Sequence, residues 1–212
     1  MDFLANILTN INIQFYLAAY LIGAIPFGVL LAWAFGGVNI RAHGSGSVGA
    51  TNVLRVVKER DSRLATKLAI ATFACDALKG PFVMGMAVFM GLDAHILWTI
   101  ALLAVVGHCF SPYLFFEGGK GVATGVGVVM FLLPIEAALG LLAWFVAAKV
   151  FKISSLASLA GMITAVALSF VIHPEVPVIK SHAPIVIIGF IILYKHIPNL
   201  LRLFRKEEAK IA

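Results

Sequence analysis

Apolar segments long enough to cross a lipid bilayer recur along this chain, and they decide its fold class. A helix needs about 20 apolar residues to span the hydrocarbon core of a bilayer. The chain of 212 residues is 61% hydrophobic and only 12% charged, which lies well outside the proportions of soluble proteins. We therefore predict an all-α fold, a polytopic membrane helical bundle formed as a single domain over residues 1–212.

Seven membrane spans are expected, some of them short or broken. We predict them at residues 14–35, 64–90, 95–116, 122–133, 137–151, 156–172 and 183–197. The fourth is only about 18 Å long at the rise of an α-helix. Asp2 and the absence of an early Lys or Arg indicate that the first span is retained rather than cleaved as a signal peptide. Cys75 and Cys109 lie in apolar segments and predict neither a disulfide framework nor a zinc site.

The distribution of basic residues predicts how these spans are oriented. Lys and Arg concentrate in residues 37–63, in the turn that holds Lys149 and Lys152, and in the tail after Tyr194. In membrane proteins the cytoplasmic loops carry the excess of Lys and Arg. With seven spans, we therefore predict an external N-terminus, a cytoplasmic C-terminus, and chemistry confined to the cytoplasmic face.

Residues 115–127, FFEGGKGVATGVG, carry the strongest signal of a binding site. Gly118, Gly119 and Gly121 permit a tight turn and let a ligand approach the main-chain N–H groups. If Val122 begins a helix, its free N–H groups and the positive end of its dipole face the same place. Lys120 adds a full positive charge. The pattern predicts a phosphate site, and the alternative is a glycine-rich loop whose lysine only sits at the lipid surface.

The first long loop, residues 43–55, reads HGSGSVGATNVLR. Its glycines, Gly46 among them, alternate with Ser45 and Ser47, and Asn52 and Arg55 follow. Small hydroxyls and exposed N–H groups suit phosphate oxygens, and Arg55 can bind a phosphate bidentately. The spacing differs from that of a P-loop. A flexible surface loop is the alternative interpretation.

Two further polar groups interrupt apolar segments. Asp76 and Lys79 are three residues apart at the edge of the second span, where charged groups either serve a site or pair with each other. His108 precedes the glycine–lysine run and is either a general base or a hydrogen-bonded packing residue. Both interpretations stay open at each position.

The last span ends on another polar cluster. His196 and Asn199 have the spacing i and i+3 of one helical face, and Arg202 follows them. The arginine either joins a site or only satisfies the positive-inside bias. Ser154 and Ser155 begin a span on the same predicted side and either serve the site or cap the helix.

Four of these motifs together resemble the bacterial membrane glycerol-3-phosphate acyltransferases that use acyl phosphate. They are GSGSVGATNVLR, DALKGP, GHCFSPYLFFEGGKGVAT and the ending KHIPNLLRLFRKEE. The resemblance covers nearly the whole chain, and the seven-span fold of that family agrees with the count above. One position departs from the family, which usually has Asn where this chain has Ser47. A hydroxyl replaces only part of an amide's hydrogen bonding, so Ser47 is a weak site candidate.

The resemblance implies transfer of a fatty acyl group from acyl phosphate to the 1-hydroxyl of sn-glycerol 3-phosphate, giving lysophosphatidate and inorganic phosphate. It implies a protein of the bacterial plasma (inner) membrane with its active site facing the cytoplasm. The expected partners are the two substrates and the bilayer, without nucleic acid, cofactor or metal. Carried over by position, it assigns catalysis to Lys120, Ser155, His196 and Asn199. The expected substrate-binding residues are Ser45, Gly46, Asn52, Arg55, Asp76, Lys79, His108, Gly118, Gly119, Gly121, Thr124 and Arg202.

The chemistry of this reaction fits the charges of the chain. Two phosphates held together repel each other, so the site needs several fixed cations. Lys120 and Arg55 supply them, with Lys79 or Arg202 as further candidates. We expect direct transfer without an acyl-enzyme, because acyl phosphate is already activated and no serine shows a recognisable His–Asp partnership. The hydroxyl proton passes either to His196 or to the donor's own phosphate, which we favour.

Two other functions would use similar residues. A membrane phosphate or anion transporter would contain the same motifs, but nearly every polar cluster lies on one predicted side. A metal-dependent phospholipid alcohol transferase needs clustered carboxylates for Mg²⁺, whereas Asp2, Asp61, Asp76 and Asp93 are scattered. The acyltransferase therefore remains the favoured hypothesis.

Overall fold

The computed structural model describes residues 9–210, and within them every regular secondary-structure element is a helix. The prediction of an all-α fold is confirmed; Asp2, on which the signal-peptide argument depends, lies outside the described residues. A single 3₁₀ turn, Pro112–Leu114, follows the fifth helix. The α-helices are α1 (Ile11–Ala24), α2 (Phe27–Gly36), α3 (Ala50–Lys58), α4 (Ser62–Phe89), α5 (Ile96–Cys109), α6 (Val122–Leu132), α7 (Pro134–Phe151), α8 (Ser154–Ile172), α9 (Ala183–Lys195) and α10 (Ile197–Phe204).

The membrane spans fall where the apolar segments predict them. Helices α4, α7 and α8, and α5 together with its 3₁₀ turn, are each long and apolar enough to cross a bilayer. Two further spans are bent pairs, α1 with α2 at 41° and α9 with α10 at 50°. The fourth predicted span is α6, an apolar helix of 11 residues, which rises about 16 Å and covers only about half of the hydrocarbon core. The expectation of short and broken spans is thus met.

Three local features differ from the sequence prediction. The first span is not continuous, because Pro26 stands at the break between α1 and α2, where a residue without an N–H interrupts the helical ladder. Residues 37–63 are not only loop, since helix α3 lies within them and buries Val53 and Val57 against α2 and α4. Residues 134–136, which lie between two predicted spans, belong to the first turn of α7 and not to a loop; Pro134 is its first residue, a position that suits proline.

Glycines allow the helices that carry the site to approach closely. A Cβ added to Gly127 of α6 would lie 1.8 Å from the carbonyl oxygen of Ala77 in α4. A Cβ added to Gly23 of α1 would lie 2.3 Å from the carbonyl oxygen of Ala104 in α5. Small residues at such crossings let helices pack backbone to backbone inside a membrane. The short helix α6 is therefore fixed against the middle of α4.

The end of the bundle away from the glycine–lysine run has its own polar contact. Glu136 is fully buried in the first turn of α7 rather than exposed in a turn, and its Oε1 contacts Nδ1 of His173. The ring of His182 stacks on Phe170 with the centroids 4.0 Å apart. These contacts join the ends of α7, α8 and α9.

Candidate active site

The glycine–lysine turn, residues 118–121, leads directly into helix α6. Helix α6 begins at Val122 as predicted, and Gly121 before it has φ +81°, a left-handed conformation that favours glycine. Gly118 and Gly119 are required for a different reason than backbone conformation. A Cβ added to Gly118 would lie 2.1 Å from the carbonyl oxygen of His108, and one added to Gly119 would lie 2.1 Å from its Nε2. The turn is thus packed directly onto the end of α5.

The serine–glycine loop, residues 43–49 before α3, is held by the buried side-chain amide of one residue. Asn52 donates from Nδ2 to the carbonyl oxygens of Ile40, His43 and Ser47 at 2.9, 3.2 and 2.9 Å. Its Oδ1 accepts from the backbone N–H of Ser45 at 2.9 Å. Four hydrogen bonds to one side chain fix the loop, so the interpretation as a flexible surface loop is wrong. The amide of Asn52 shapes the loop and has its hydrogen-bonding groups engaged there.

A polar cavity of about 470 Å³ collects the predicted residues from six segments, among them α4 with Asp76 and α5 with His108. It lies between the serine–glycine loop, the glycine–lysine turn, the start of α8 and the α9–α10 junction with the tail. Gly46 and Gly118 instead line a neighbouring recess that shares Lys120, while Lys79, Gly119 and Thr124 line neither. The predicted residues that line the cavity are Ser45, Asn52, Arg55, Asp76, His108, Lys120, Gly121, Ser155, His196, Asn199 and Arg202.

Two cations face this cavity without a protein partner. Among residues 9–210, neither Lys120 nor Arg55 forms a side-chain hydrogen bond or an ion pair with another group. Burial lowers the pKa of Lys120 to about 8; the Glu208 carboxylate opposes this shift, and Arg202 and Arg55 add to it. A half-buried ammonium between two guanidinium groups is stabilised by an arriving anion. The cavity is therefore suited to bind a phosphate.

The tail contributes a carboxylate that the sequence analysis did not single out. Oε1 of Glu208 accepts from Ser155 Oγ at 2.8 Å and from Asn199 Nδ2 at 2.6 Å, and its Oε2 accepts from Arg202 Nε at 2.7 Å. Partial burial opposes ionisation, but the hydrogen bonds from Asn199, Arg202 and Ser155 outweigh it and lower the pKa of Glu208. The signal was the acidic pair that ends the motif KHIPNLLRLFRKEE.

His196 presents a defined ring nitrogen to the cavity. The side chain is 1% exposed, and its Nδ1 lies 2.7 Å from the backbone carbonyl oxygen of Ile192. A carbonyl oxygen only accepts, so Nδ1 carries the proton and Nε2 is left as an acceptor. Ser154, beside Ser155, does not cap α8; its Oγ is 3.1 Å from Oγ1 of Thr51.

Asp76 and Lys79 lie near the middle of α4, not at its edge as predicted. Lys79 Nζ is 2.7 Å from Asp76 Oδ1, and both side chains are buried. The same ammonium is 3.1 Å from Nδ1 of His108. Thr124 is engaged as well, because its hydroxyl donates to the carbonyl oxygen of Asp76 at 2.9 Å. Mutual pairing is therefore the correct interpretation, and Lys79 is not available as a phosphate-binding cation.

An apolar groove of about 520 Å³ adjoins the polar cavity. Thr51, Phe73, Val122 and Trp144 line both spaces. Ala50, Ser154 and Ser158 also line both, and the remainder of the groove is formed by apolar residues and glycines of α3, α4, α6, α7, α8 and α9. A hydrocarbon chain in this groove would have its head at the cations of the cavity.

The fold and these two spaces define the class of protein. The chain is an all-helical integral membrane protein with a polar, cationic cavity that opens beside an apolar groove. The profile of the glycerol-3-phosphate acyltransferase family matches residues 13–206. The chain belongs to this family and is an acyltransferase.

Individual relatives agree over almost the full length. A glycerol-3-phosphate acyltransferase of Campylobacter lari is 62% identical over 200 residues, which cover 94% of this chain and 98% of the relative. One of Sulfurimonas denitrificans is 55% identical over 211 residues, and the match covers 100% of both chains.

Two crystal structures are similar in fold. One is of PlsY (YgiH), an integral membrane glycerol 3-phosphate acyltransferase, in its glycerol 3-phosphate form; it is 35% identical with a TM-score of 0.84 and covers 96% of each chain. The other, its lysophosphatidic acid form, has a TM-score of 0.82 at 35% identity and covers 95% of each chain.

Proposed function

We propose that this acyltransferase moves a fatty acyl group from acyl phosphate to the 1-hydroxyl of glycerol 3-phosphate, releasing lysophosphatidate and inorganic phosphate. The observation that carries the proposal is the junction of the polar cavity with the apolar groove. Both substrates carry a phosphate, and the cavity offers Lys120 and Arg55 unpaired. The acyl chain is apolar, and the groove begins at residues that also line the cavity. The similar crystal structures in glycerol 3-phosphate and lysophosphatidic acid forms support this choice of acceptor and product.

The reaction needs no covalent enzyme intermediate. The 1-hydroxyl oxygen attacks the acyl carbonyl carbon, a new C–O ester bond forms, and the bond from that carbon to the phosphate oxygen breaks. The phosphate leaves with the electron pair. Lys120 and Arg55 stabilise the charge that develops on it, because fixed cations in a half-buried site act without reorganisation.

The hydroxyl proton ends on the departing phosphate in this scheme. His196 presents Nε2 as an acceptor at the cavity, so it can receive a hydrogen bond from the 1-hydroxyl and orient it. Asn199 and Ser155 lie on the same side and are held by Glu208. Such orientation supplies a share of the roughly 7–11 kcal/mol that complete alignment of two reactants contributes.

A donor comparison tests the proposal. The purified protein in detergent is given labelled glycerol 3-phosphate with palmitoyl phosphate, palmitoyl-CoA or palmitoyl acyl carrier protein. We expect lysophosphatidate and one equivalent of phosphate from the acyl phosphate alone. Transfer from acyl-CoA at an equal rate, or none from acyl phosphate, would contradict the choice of donor.

The rival functions make different demands. A phosphate transporter has to bind its anion from both sides of the membrane. Because the polar clusters of this protein are predicted on one side, we expect proteoliposomes that contain it to show no uptake of labelled phosphate. A metal-dependent transferase needs grouped ligands, and within the described part of the chain no three His, Cys, Asp or Glu side chains lie close enough to hold an ion. Activity that survives EDTA would support the metal-free reaction.

We propose that the cavity faces the cytoplasm of a bacterial inner membrane, with the N-terminus outside. The support is the positive-inside bias, since the basic segments meet at the cavity end of the bundle. In a chain without its two native cysteines, cysteines at Asp93 and Glu175 should react with an impermeant maleimide in intact cells. Cysteines at Ser47 and Lys206 should not react, and the reverse pattern would overturn the orientation.

A further inference from the structure

The ring of His108 has one nitrogen, Nε2, that no other protein group engages among residues 9–210. His108 is 7% exposed and lines the cavity. Its Nδ1 is 3.1 Å from Lys79 Nζ, whereas its Nε2 has no hydrogen-bond partner among residues 9–210. This nitrogen is reached from the cavity and is not sealed inside the protein. Its position at a cavity points to a ligand as the missing partner.

The neighbours of His108 determine which nitrogen carries its proton. Lys79 is paired with Asp76 Oδ1 at 2.7 Å, and its ammonium lies 5.3 Å from the centroid of the Phe27 ring. An ammonium has three donors and no acceptor. Asp76 Oδ1 is 3.7 Å from the same Nδ1, which is too far for a hydrogen bond. Nδ1 of His108 therefore accepts from Lys79, which leaves the proton of the neutral ring on Nε2.

The ring is also fixed against the anion-binding turn. The backbone N–H of Gly119 donates to the carbonyl oxygen of His108 at 2.9 Å, and a Cβ at Gly119 would lie 2.1 Å from Nε2. The N–H at Nε2 is thus placed beside the turn that carries Lys120. His108 lines the same cavity as the two unpaired cations, Lys120 and Arg55.

We propose that His108 donates a hydrogen bond from Nε2–H to a substrate phosphate, and that Lys79, held by Asp76, is a positioning residue that sets this tautomer. The inference extends the function proposed above, because it takes the ligand to be a phosphate of that reaction. It makes His108 a donor instead of the general base that the sequence also allowed. The buried ion pair then has a function that its burial alone does not explain, since such pairs contribute little net stability.

Nitrogen NMR tests the tautomer without relying on activity. Full-length protein with ¹⁵N-labelled histidine has six imidazole rings with two nitrogen signals each, and His108→Gln identifies the pair that belongs to His108. We expect the wild-type ring to be protonated at Nε2 only, and inorganic phosphate to shift that signal. In Lys79→Met the ring should no longer be protonated at Nε2 only. Lys67 is an exposed lysine of the same helix, and Lys67→Met should leave the tautomer unchanged. A wild-type ring protonated at Nδ1, or an Nε2 signal unchanged by saturating phosphate, would overturn the proposal.

Kinetics give a second, independent arm. The glutamine amide nitrogen reproduces Nε2 and the asparagine nitrogen reproduces Nδ1, so His108→Gln should retain activity within about tenfold while His108→Asn loses about tenfold to a hundredfold, as for one hydrogen bond to a charged group. A rise in KM for glycerol 3-phosphate alone, or for acyl phosphate alone, identifies which phosphate is bound. Equal losses in both variants would contradict a donor at Nε2.

Two controls separate this inference from folding and from the proposed function. His95→Gln changes an exposed histidine away from the cavity and should be neutral. If Lys79→Met fails to fold because Asp76 is left unpaired, the double variant Asp76→Asn/Lys79→Met removes both charges together. Failure of acyl phosphate as a donor would reject the proposed reaction but leave the NMR result to decide the tautomer.

Discussion

The pKa of Lys120 predicts how the reaction depends on pH. Its ammonium lines the cavity and has no ion-pair partner among residues 9–210, and burial lowers its pKa from 10.5 to about 8. The charged form binds phosphate, so activity is present below this pKa and is lost as the pH rises through it. The relevant quantity is kcat/KM, because it reports ionisations of the free enzyme. Bound phosphate would favour the ammonium and hold the pKa of the complex higher.

The size of the effect follows from the protonated fraction. With a pKa of about 8, roughly nine-tenths of the lysine is charged at pH 7 and roughly one-tenth at pH 9. We expect kcat/KM to fall about tenfold across this interval. Lys120→Arg should be slower at pH 7 but nearly flat to pH 9, since arginine keeps its charge with a pKa above about 12. Lys120→Ala should lose about a hundredfold or more at pH 7, because one preorganised donor is removed, and the deficit should shrink toward pH 9, where the wild-type lysine is itself mostly uncharged.

The assay measures initial rates of lysophosphatidate formation at subsaturating glycerol 3-phosphate from pH 6.5 to 9.5. Donor hydrolysis at each pH is measured without enzyme and subtracted. A wild-type profile that stays flat to pH 9.5 would refute the reasoning. An alkaline limb in Lys120→Arg at the wild-type position would assign the titration to another group.

Three further substitutions separate packing, charge and stability. Gly119→Ala should lower kcat/KM at least tenfold, because its Cβ would lie 2.1 Å from a buried imidazole nitrogen and overpacking costs about 1–3 kcal/mol; Gly85→Ala, with no atom within 4 Å, should be neutral. Glu208→Gln should move the alkaline limb to lower pH, since this carboxylate raises the pKa of the turn lysine, and an unmoved limb would exclude that coupling. His173→Ala should lower the free energy of unfolding by about 1–3 kcal/mol, because it leaves the Glu136 carboxylate buried without its partner. Thermal unfolding in detergent should show a lower Tm, while the activity at room temperature should be unchanged.

Apolarity and charge alone predicted the spans, because the length of an apolar segment and the charge of the loops beside it can be read from consecutive residues. They missed the break at Pro26 and the helix α3, which depend on short-range signals. Val53, Val56 and Val57 have the i, i+3, i+4 spacing of a helical face, and they are buried as that spacing requires. A loop that contains so many glycines and serines hides this pattern from a count of composition.

The predicted site residues were mostly brought together, but several have other tasks than the sequence indicated. Asn52 and Thr124 have side chains engaged by backbone groups. Sequence spacing placed Asp76 and Lys79 on one helical face, yet it could not show that His108 would reach the same ammonium from another helix. Contacts between segments 29 residues apart depend on how the helices pack, and local patterns do not encode that.

These contacts separate the basic residues that are paired within the protein from those that are left to bind a ligand. The cavity end of the bundle has four candidate cations, and two are neutralised within the protein: Lys79 by Asp76 and Arg202 by Glu208. Lys120 and Arg55 remain for the ligand. Four unpaired charges at one place would repel each other strongly in a half-buried site, and all would compete for the same phosphates. Two carboxylates that fix two of the cations therefore reduce this repulsion and leave the remaining pair oriented toward the substrates.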